Sequence, residues 1–286
     1  MQKTVRKILR VVANYDPDYY DMYEDANEAF FAQLYVPRIL QHAEAAGIRP
    51  PAAGSATGVP SIADRRPTLL EAGCQTGRLA IPFAKMGFRV TGIDTSPFAL
   101  RRARAHAKAA GADATFIQGD LIERLRSRPR PQYDIVVCAE VVYLSRRYGE
   151  MLEALAGAVK PGGLLCVSHR PRLYYLLEAL RRYDVAAATA VLTTSEGPFG
   201  QSSYFNWQSE EELRTRYGAL GLQWLAMYPI DRLAWLSGAD PAKLTEAQRG
   251  EWLKLEHRLS GETGMCARYV LVVAAKPQQR AGQGVE

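Results

Sequence analysis

The chain has 286 residues, 48% of them hydrophobic and 23% charged, with a formal net charge of +6. This is the balance of an ordinary globular protein, long enough to bury a full core, and the basic excess reads as solubility with a mild preference for acidic partners, ahead of nucleic-acid binding. Four cysteines (Cys74, Cys138, Cys166, Cys266) without C-x-x-C spacing or a nearby histidine cluster exclude a disulfide framework and a zinc site, and no apolar run approaches a membrane span.

Residues 1–49 read as a helical cap. Val5, Ile8, Leu9 and Val12 share one helical face, with Lys3, Arg6, Lys7 and Arg10 elsewhere, and Arg10 interrupts what would be a signal-peptide core. Aromatic residues follow at Tyr15, Tyr19, Tyr20, Tyr23, Phe30, Phe31 and Tyr35, and Pro37 is expected in the first turn of a new helix. Residues 50–67 are rich in Pro, Gly, Ser and Ala, the composition of a loop.

From residue 68 strands and helices alternate. Thr68–Ala72 reads as a strand and Thr76–Met86 as a helix, joined by a small-residue turn. Such a turn lets a ligand approach the backbone, and the helix behind it presents unpaired N–H groups to an anion. Arg89–Ile93 is a second strand that ends in the carboxylate of Asp94, 21 positions after Gly73. An acid at about that separation can accept both hydroxyls of an adenosine ribose. Ser96 and Pro97 open a helix to about Ala110; Ala114–Ile117, Tyr133–Cys138 and Leu164–Ser168 are strands; Ser145–Val159 and Arg172–Tyr183 are helical. The alternation predicts right-handed crossovers and a parallel sheet covered on both faces. Residues 193–209 read as a long loop, with the aromatic group Phe199, Tyr204, Phe205 and Trp207. Ser209 and Glu212 form a capping box, Leu222–Ile230 and Ala267–Ala275 are late strands, a helix covers about 241–259, and residues 276–286 are a polar tail expected to be disordered.

Taken in order, these segments resemble the class I S-adenosylmethionine-dependent methyltransferases, of the type that act on small molecules. The resemblance runs over roughly residues 15–275. It is carried by Glu71-Ala72-Gly73-Cys74-Gln75-Thr76-Gly77, Asp94, Gly119-Asp120, the segment from Tyr133 to Leu144, and Val159-Lys160-Pro161-Gly162-Gly163. It implies a Rossmann-like α/β fold: a seven-stranded, mostly parallel sheet in the order 3-2-1-4-5-7-6, with helices on both faces and the N-terminal cap. The methyltransferase domain would cover 68–275, with a lid-like insert at about 186–209.

The resemblance also implies the cofactor, S-adenosylmethionine, with S-adenosylhomocysteine as product. Its site would comprise Glu71, Gly73, Cys74, Gln75 and Gly77 around the methionine end, Asp94 and Thr95 at the ribose, Asp120 and Leu121 at adenine, and Ala139 beneath. Tyr20-Asp21-Met22-Tyr23 is similar to a Y-D-x-x-Y element that closes over the cofactor in small-molecule members, which adds Tyr20 to the cofactor site and Tyr23 to the lid. The family's middle glycine is Gln75 here, so its side chain either turns away from the ligand or crowds it.

Other residues carry two readings each. His169, at a strand end on the ligand edge, is a general base or a hydrogen-bonded structural histidine; Glu140 is a base facing the ligand or a turn cap. Asp120 is an adenine acceptor or a helix N-cap. Tyr143, Arg170, Tyr204 and Trp207 are substrate or lid residues. His42, His106, His257 and the basic run Arg101, Arg102, Arg104 and Lys108 read as solvated. The expected function is methyl transfer to an O, N or C nucleophile of a small molecule, in the cytoplasm, without a metal. The alternatives are an RNA methyltransferase and a non-catalytic cofactor-binding protein, and the oligomeric state is left open, with a homodimer as one form. A nicotinamide dehydrogenase is discounted because Gly73-Cys74-Gln75-Thr76-Gly77-Arg78 lacks the G-x-G-x-x-G spacing.

Overall fold

In the strand β1 (Thr68–Ala72) every position is buried. Only a central strand covered on both faces explains this. The computed structural model describes residues 20–50, 66–127, 131–259 and 266–278, and places β1 in the middle of a seven-stranded sheet. The basic amphipathic stretch at 3–12, most of the 50–67 loop and the last eight residues of the tail lie outside the described residues.

The other strands are β2 (Arg89–Asp94), β3 (Ala114–Gln118), β4 (Tyr133–Cys138), β5 (Val159–His169), β8 (Gln223–Ile230) and β9 (Tyr269–Ala275), ordered β3-β2-β1-β4-β5-β9-β8. Counting only strands of this sheet, that is the expected 3-2-1-4-5-7-6. Strands β1 to β5 pair in parallel, whereas β9 runs antiparallel to both neighbours. Because β9 is reversed, its first residues lie beside the end of β5, with Val270 opposite His169. The carboxyl ends of β1, β2, β4 and β5 and the start of β9 therefore share one edge.

Side chains alternate along each strand, and they feed two cores. Leu69, Ile135, Val137, Leu164 and Cys166 meet α1 (Ala26–Ala45), α2 (Ala80–Lys85) and α3 (Pro97–Ala109) on one face. Leu70, Val136, Leu165 and Val167 meet α4 (Leu121–Arg126), α5 (Tyr148–Ala158) and α8 (Glu210–Ala219) on the other. Two of the sequence signals for helix starts hold. The Ser96 side chain accepts from the N–H of Ala99, and Ser209 and Glu212 complete their capping box.

Three expectations change. Pro37 begins no helix; α1 passes through it unbroken. The missing hydrogen bond costs about 3 kcal/mol. Burial of Phe30, Phe31, Leu34, Tyr35 and Ile39 on the same helix outweighs that cost. The helix expected from Thr76 begins only at Ala80, because 76–79 are used for the turn. The segment 193–209 is no long loop. It holds a hairpin of β6 (Glu196–Phe199) and β7 (Ser202–Asn206), which packs with α6 (Arg172–Arg181) and α7 (Val185–Thr193) around Tyr175, Val191 and Trp207. Its strands are four and five residues long, and Gly197-Pro198 interrupts the first, so turn residues mask the pairing.

A short helix, α9 (Leu233–Ser237), and a longer one, α10 (Glu246–Leu259), connect β8 to β9. Among the described residues, no helix is long and apolar enough to cross a membrane.

Candidate active site

The turn after β1 is wound by residues with unusual backbone geometry. Gly73 has φ +78° and Gly77 φ +93°. A Cβ on Gly73 would lie 2.3 Å from a Val141 methyl, and one on Gly77 2.9 Å from Ile81, so both positions demand glycine. Gln75 adopts φ +44°, the left-handed region, although it carries a side chain. Its amide settles the question raised by the sequence. The Nε2 donates to the Tyr20 carbonyl at 2.7 Å, and Oε1 accepts from Thr76 N–H at 2.7 Å and Met22 N–H at 3.4 Å. The side chain thus reaches toward the segment before α1 and ties it to the turn.

That segment is held from a second side. The Tyr23 N–H donates to Thr76 Oγ1 at 3.0 Å, and the Tyr23 ring stacks on His106 with centroids 4.7 Å apart. His106 Nε2 is 2.8 Å from Asp21 Oδ2, which also accepts from Arg102 at 3.1 Å. His106 and Arg102 are therefore not solvated as expected; they face the strap that crosses their helix. Arg104 stays exposed and donates to the Phe116 carbonyl. His42 likewise contacts a neighbour, the Tyr228 hydroxyl at 2.8 Å. Asp21, Glu24 and His106 bring three ligand-type atoms together. The Arg102 cation already on Asp21 opposes a second cation there.

Beneath the strap lies a cleft of about 380 Å³ along the carboxyl ends of β1, β2 and β4. This is a volume suited to a small ligand or cofactor. Glu71, Gly73, Cys74 and Gln75 come from the β1 turn; Asp94 and Thr95 from the end of β2; Asp120 and Leu121 from beyond β3; Ala139, Glu140 and Tyr143 from beyond β4. The sequence had named each of these. It had assigned no site role to Arg78, Ile93, Val141 or Met151, which complete the walls with Met22, Gly119 and Leu144.

The acids of the cleft are already hydrogen-bonded, each with oxygen lone pairs to spare. Asp94 Oδ2 accepts from Gln75 N–H at 2.9 Å and Oδ1 from Ser96 N–H at 2.8 Å. These bonds lock its carboxylate where the turn and the second strand meet. Asp120 caps α4 through Glu123 N–H, as one of its two readings had it, and also lines the cleft. Glu71 is buried and accepts from Ala80 N–H at 2.6 Å. Burial pushes its carboxyl up to about 8. Burial also raises the Cys74 thiol far above its ordinary value, which leaves it a poor nucleophile.

Arg78 is the residue that sequence reasoning missed. Its side chain is only 5% exposed and bridges Glu28 on α1 to Glu140 beyond β4, at 2.9 Å from Glu140 Oε1. The Arg78 guanidinium also lies over the Tyr35 ring at 5.7 Å. Glu140, itself left-handed at φ +63°, is held by this pairing and by its N–H donating to Ser168 Oγ at 2.6 Å. Its carboxylate is thus committed to an ion pair rather than free as a base. One signal was available: a lone arginine entering the apolar run Leu79-Ala80-Ile81 must find an acid.

The remaining expectations separate. His169 is buried and off the cleft, with Nε2 2.9 Å from the Tyr217 hydroxyl on α8. Burial lowers it to about 3, so it is a neutral core histidine and the general-base reading is withdrawn. Trp207 fills the core of the insert and donates to the Thr194 carbonyl, and the Tyr204 hydroxyl bonds Glu196; both are packing residues of the hairpin rather than lid contacts. Gly77 serves the turn from outside the cleft lining, and Tyr20 and Tyr23 belong to the strap. Arg170 stands just behind the wall, 4.3 Å over the Tyr143 ring.

Strand order, turn and acid placement define the Rossmann-like methyltransferase fold. Residues 69–163 match the methyltransferase domain family. Over that third of its length the chain carries a methyltransferase domain. It is 30% identical over 155 residues to a ubiquinone biosynthesis O-methyltransferase of Methylobacterium sp. (strain 4-46), a match over 54% of this chain and 59% of that one. The chain thus spans little more than half the length of this curated relative. Among solved structures, the magnesium protoporphyrin IX methyltransferase of Synechocystis PCC 6803 with bound SAH superposes with TM-score 0.56 and 17% identity, over 96% of this chain and 98% of that one. The [4+2]-cyclase SpnF superposes with TM-score 0.52 and 15% identity, over 96% and 93%. At these identities the likeness concerns the fold, which hosts more than one reaction.

Proposed function

We infer that this protein transfers the methyl group of S-adenosylmethionine to an O, N or C nucleophile of a small-molecule acceptor and releases S-adenosylhomocysteine. The carrying observation is that the glycine turn, Asp94 and Asp120 converge on one cleft of cofactor size. The lining fits the group. Asp94 keeps lone pairs for ribose hydroxyls, Asp120 and the Leu121 N–H stand where adenine would be read, and Gly73 and Glu71 border the methionine end. Ile93, Leu121 and Met151 supply apolar walls for a base.

The sulfonium supplies an activated methyl group. What remains for the chain is alignment of the acceptor with that methyl, worth up to about 7–11 kcal/mol, and exclusion of water. The Gln75-anchored strap covers the cleft on one side, and the Arg78–Glu140 pair fixes the loop beneath it. No proton transfer is assigned to His169 or Glu140, since the first is remote and the second is paired.

Calorimetric titration with S-adenosylhomocysteine tests this reading. The folded protein is expected to bind it, and Asp94→Ala to weaken binding by about tenfold or more through lost charged hydrogen bonds. A folded wild-type chain giving no heat at millimolar ligand overturns the reading.

A further inference from the structure

Arg170 follows the last residue of β5 on the ligand edge, and it is a cation without an anion. Its guanidinium lies 4.3 Å from the Tyr143 centroid and 4.7 Å from those of Tyr174 and Tyr269. The Nη2 donates to the Tyr269 hydroxyl at 2.7 Å. The Nε and the Tyr175 hydroxyl are both buried without a full hydrogen bond, and the hydroxyl lies close enough to Arg170 to interact with its charge and its N–H donors. No acidic side chain among the described residues pairs with it. The tyrosines do not supply a counter-charge either, since burial pushes the Tyr143 hydroxyl up to about 12 and that of Tyr269 well above its ordinary value. A buried cation left in this state is costly unless something negative joins it.

Its place shows what that something is. Tyr143 lines the cleft assigned above to the cofactor, and Arg170 covers the same ring. Phe205 from the hairpin stacks on Tyr143 with centroids 6.3 Å apart, so the insert closes the far side of this aromatic wall. Arg170 itself keeps part of its surface open. A guanidinium whose faces are stacked on rings offers its edge, the planar fork that matches a carboxylate.

We propose that Arg170, caged by Tyr143, Tyr174 and Tyr269, anchors the methyl acceptor through a carboxylate, and that the acceptor is a ring-bearing acid whose ring lies against these tyrosines. The proposal rests on the functional reading above for the word acceptor, but the anion site itself stands or falls separately.

The test uses the full chain labelled with 3-fluorotyrosine, the resonances of Tyr143, Tyr174 and Tyr269 being assigned by single Tyr→Phe variants. Benzoate and 4-hydroxybenzoate are titrated against their methyl esters, with and without saturating S-adenosylhomocysteine. The acids are expected to shift these three resonances saturably and to bind about tenfold tighter than the esters or better, as a charged hydrogen-bond pair gives. Arg170→Gln, checked for fold by circular dichroism, is expected to erase the preference, and Arg170→Lys to keep part of it. Equal binding of acid and ester, no movement of the three resonances, or an undiminished preference in Arg170→Gln overturns the proposal. If Arg170→Gln does not fold, the wild-type acid and ester titrations decide. Loss of S-adenosylhomocysteine binding alone would strike the functional reading and leave the anion site to be judged from the ligand-free titration.

Discussion

The molecule sets two arginines against one loop, at contact points three residues apart (Glu140 and Tyr143), and treats them oppositely. Arg78 pairs with Glu140 and Glu28, one carboxylate on each side, and its charge is answered within the fold. Arg170 lies against Tyr143, three positions after Glu140, and finds rings but no acid. The first arrangement ties α1, the glycine turn and the loop after β4 into one frame. The second leaves an uncompensated charge beside the same loop. A charge neutralised by two acids from distant parts of the chain serves the architecture. One left open at the ligand edge has stabilisation still to gain, and a ligand is the partner that could provide it.

The largest expected effect breaks this comparison if it fails. Arg78→Met leaves Glu28 and Glu140 buried with no cation, and should destabilise the fold by about 3–5 kcal/mol. Urea unfolding measures it. Adding Glu28→Gln and Glu140→Gln should restore most of the loss, because the stranded charges are then gone. Arg170→Met strands no anion, and should cost only the cation–π and packing contacts, about 1–2 kcal/mol. Equal losses for the two single variants would mean that the two sites do the same work.

Much of this frame could be read from residues close together in sequence. The turn Gly73 to Gly77, Asp94 at the tip of β2, the Ser96 cap and the Ser209–Glu212 box are local signals, and local chemistry decides them. The family resemblance added the strand order. The partners of Arg78 were not legible, since Glu28 and Glu140 lie 50 and 62 positions away and meet it only after α1 folds back over the sheet. The hairpin of the insert was hidden by its own turn residues, and the continuity of α1 through Pro37 by a local rule that burial overrides. His169 misled for a related reason. A strand alternates faces, so Ser168 meets the loop below the cleft while its neighbour enters the opposite core beside Tyr217.

A second prediction sharpens the contrast between paired and unpaired charge. Glu71 borders the cleft, where burial outweighs the nearby Arg78 charge and the Ala80 and Leu79 N–H groups, and its carboxyl is pushed up to about 8 when folded against 4.5 for an ordinary glutamate. A folded pKa above the unfolded value means that the native state binds the proton more tightly. Stability then falls as pH rises from the ordinary value through the folded one. Between pH 6 and pH 9 this group alone should remove about 2–3 kcal/mol. Glu71→Gln keeps an oxygen for the Ala80 N–H and should flatten the profile, measured as unfolding free energy in urea at each pH. An unchanged slope in the variant assigns the dependence to other groups.

The smallest effect concerns the position where this chain departs from the family it resembles. Gln75 sits in a left-handed conformation that costs a side-chain-bearing residue roughly 1 kcal/mol. It gains in return the hydrogen bonds to Tyr20 and Met22. Gln75→Gly relieves the strain and cuts the tether, so global stability should change by less than about 1 kcal/mol. The strap should nonetheless loosen. Hydrogen exchange at the Met22 and Tyr23 amides should accelerate several-fold, while amides of β1 and β4 keep their protection. Gln75→Ala retains the strain without the tether, and should lose stability as well as strap protection. If Gln75→Gly leaves the Met22 and Tyr23 amides as protected as before, the strap is held by Thr76, His106 and Arg102 alone. The glutamine is then a tolerated replacement of glycine rather than a clamp.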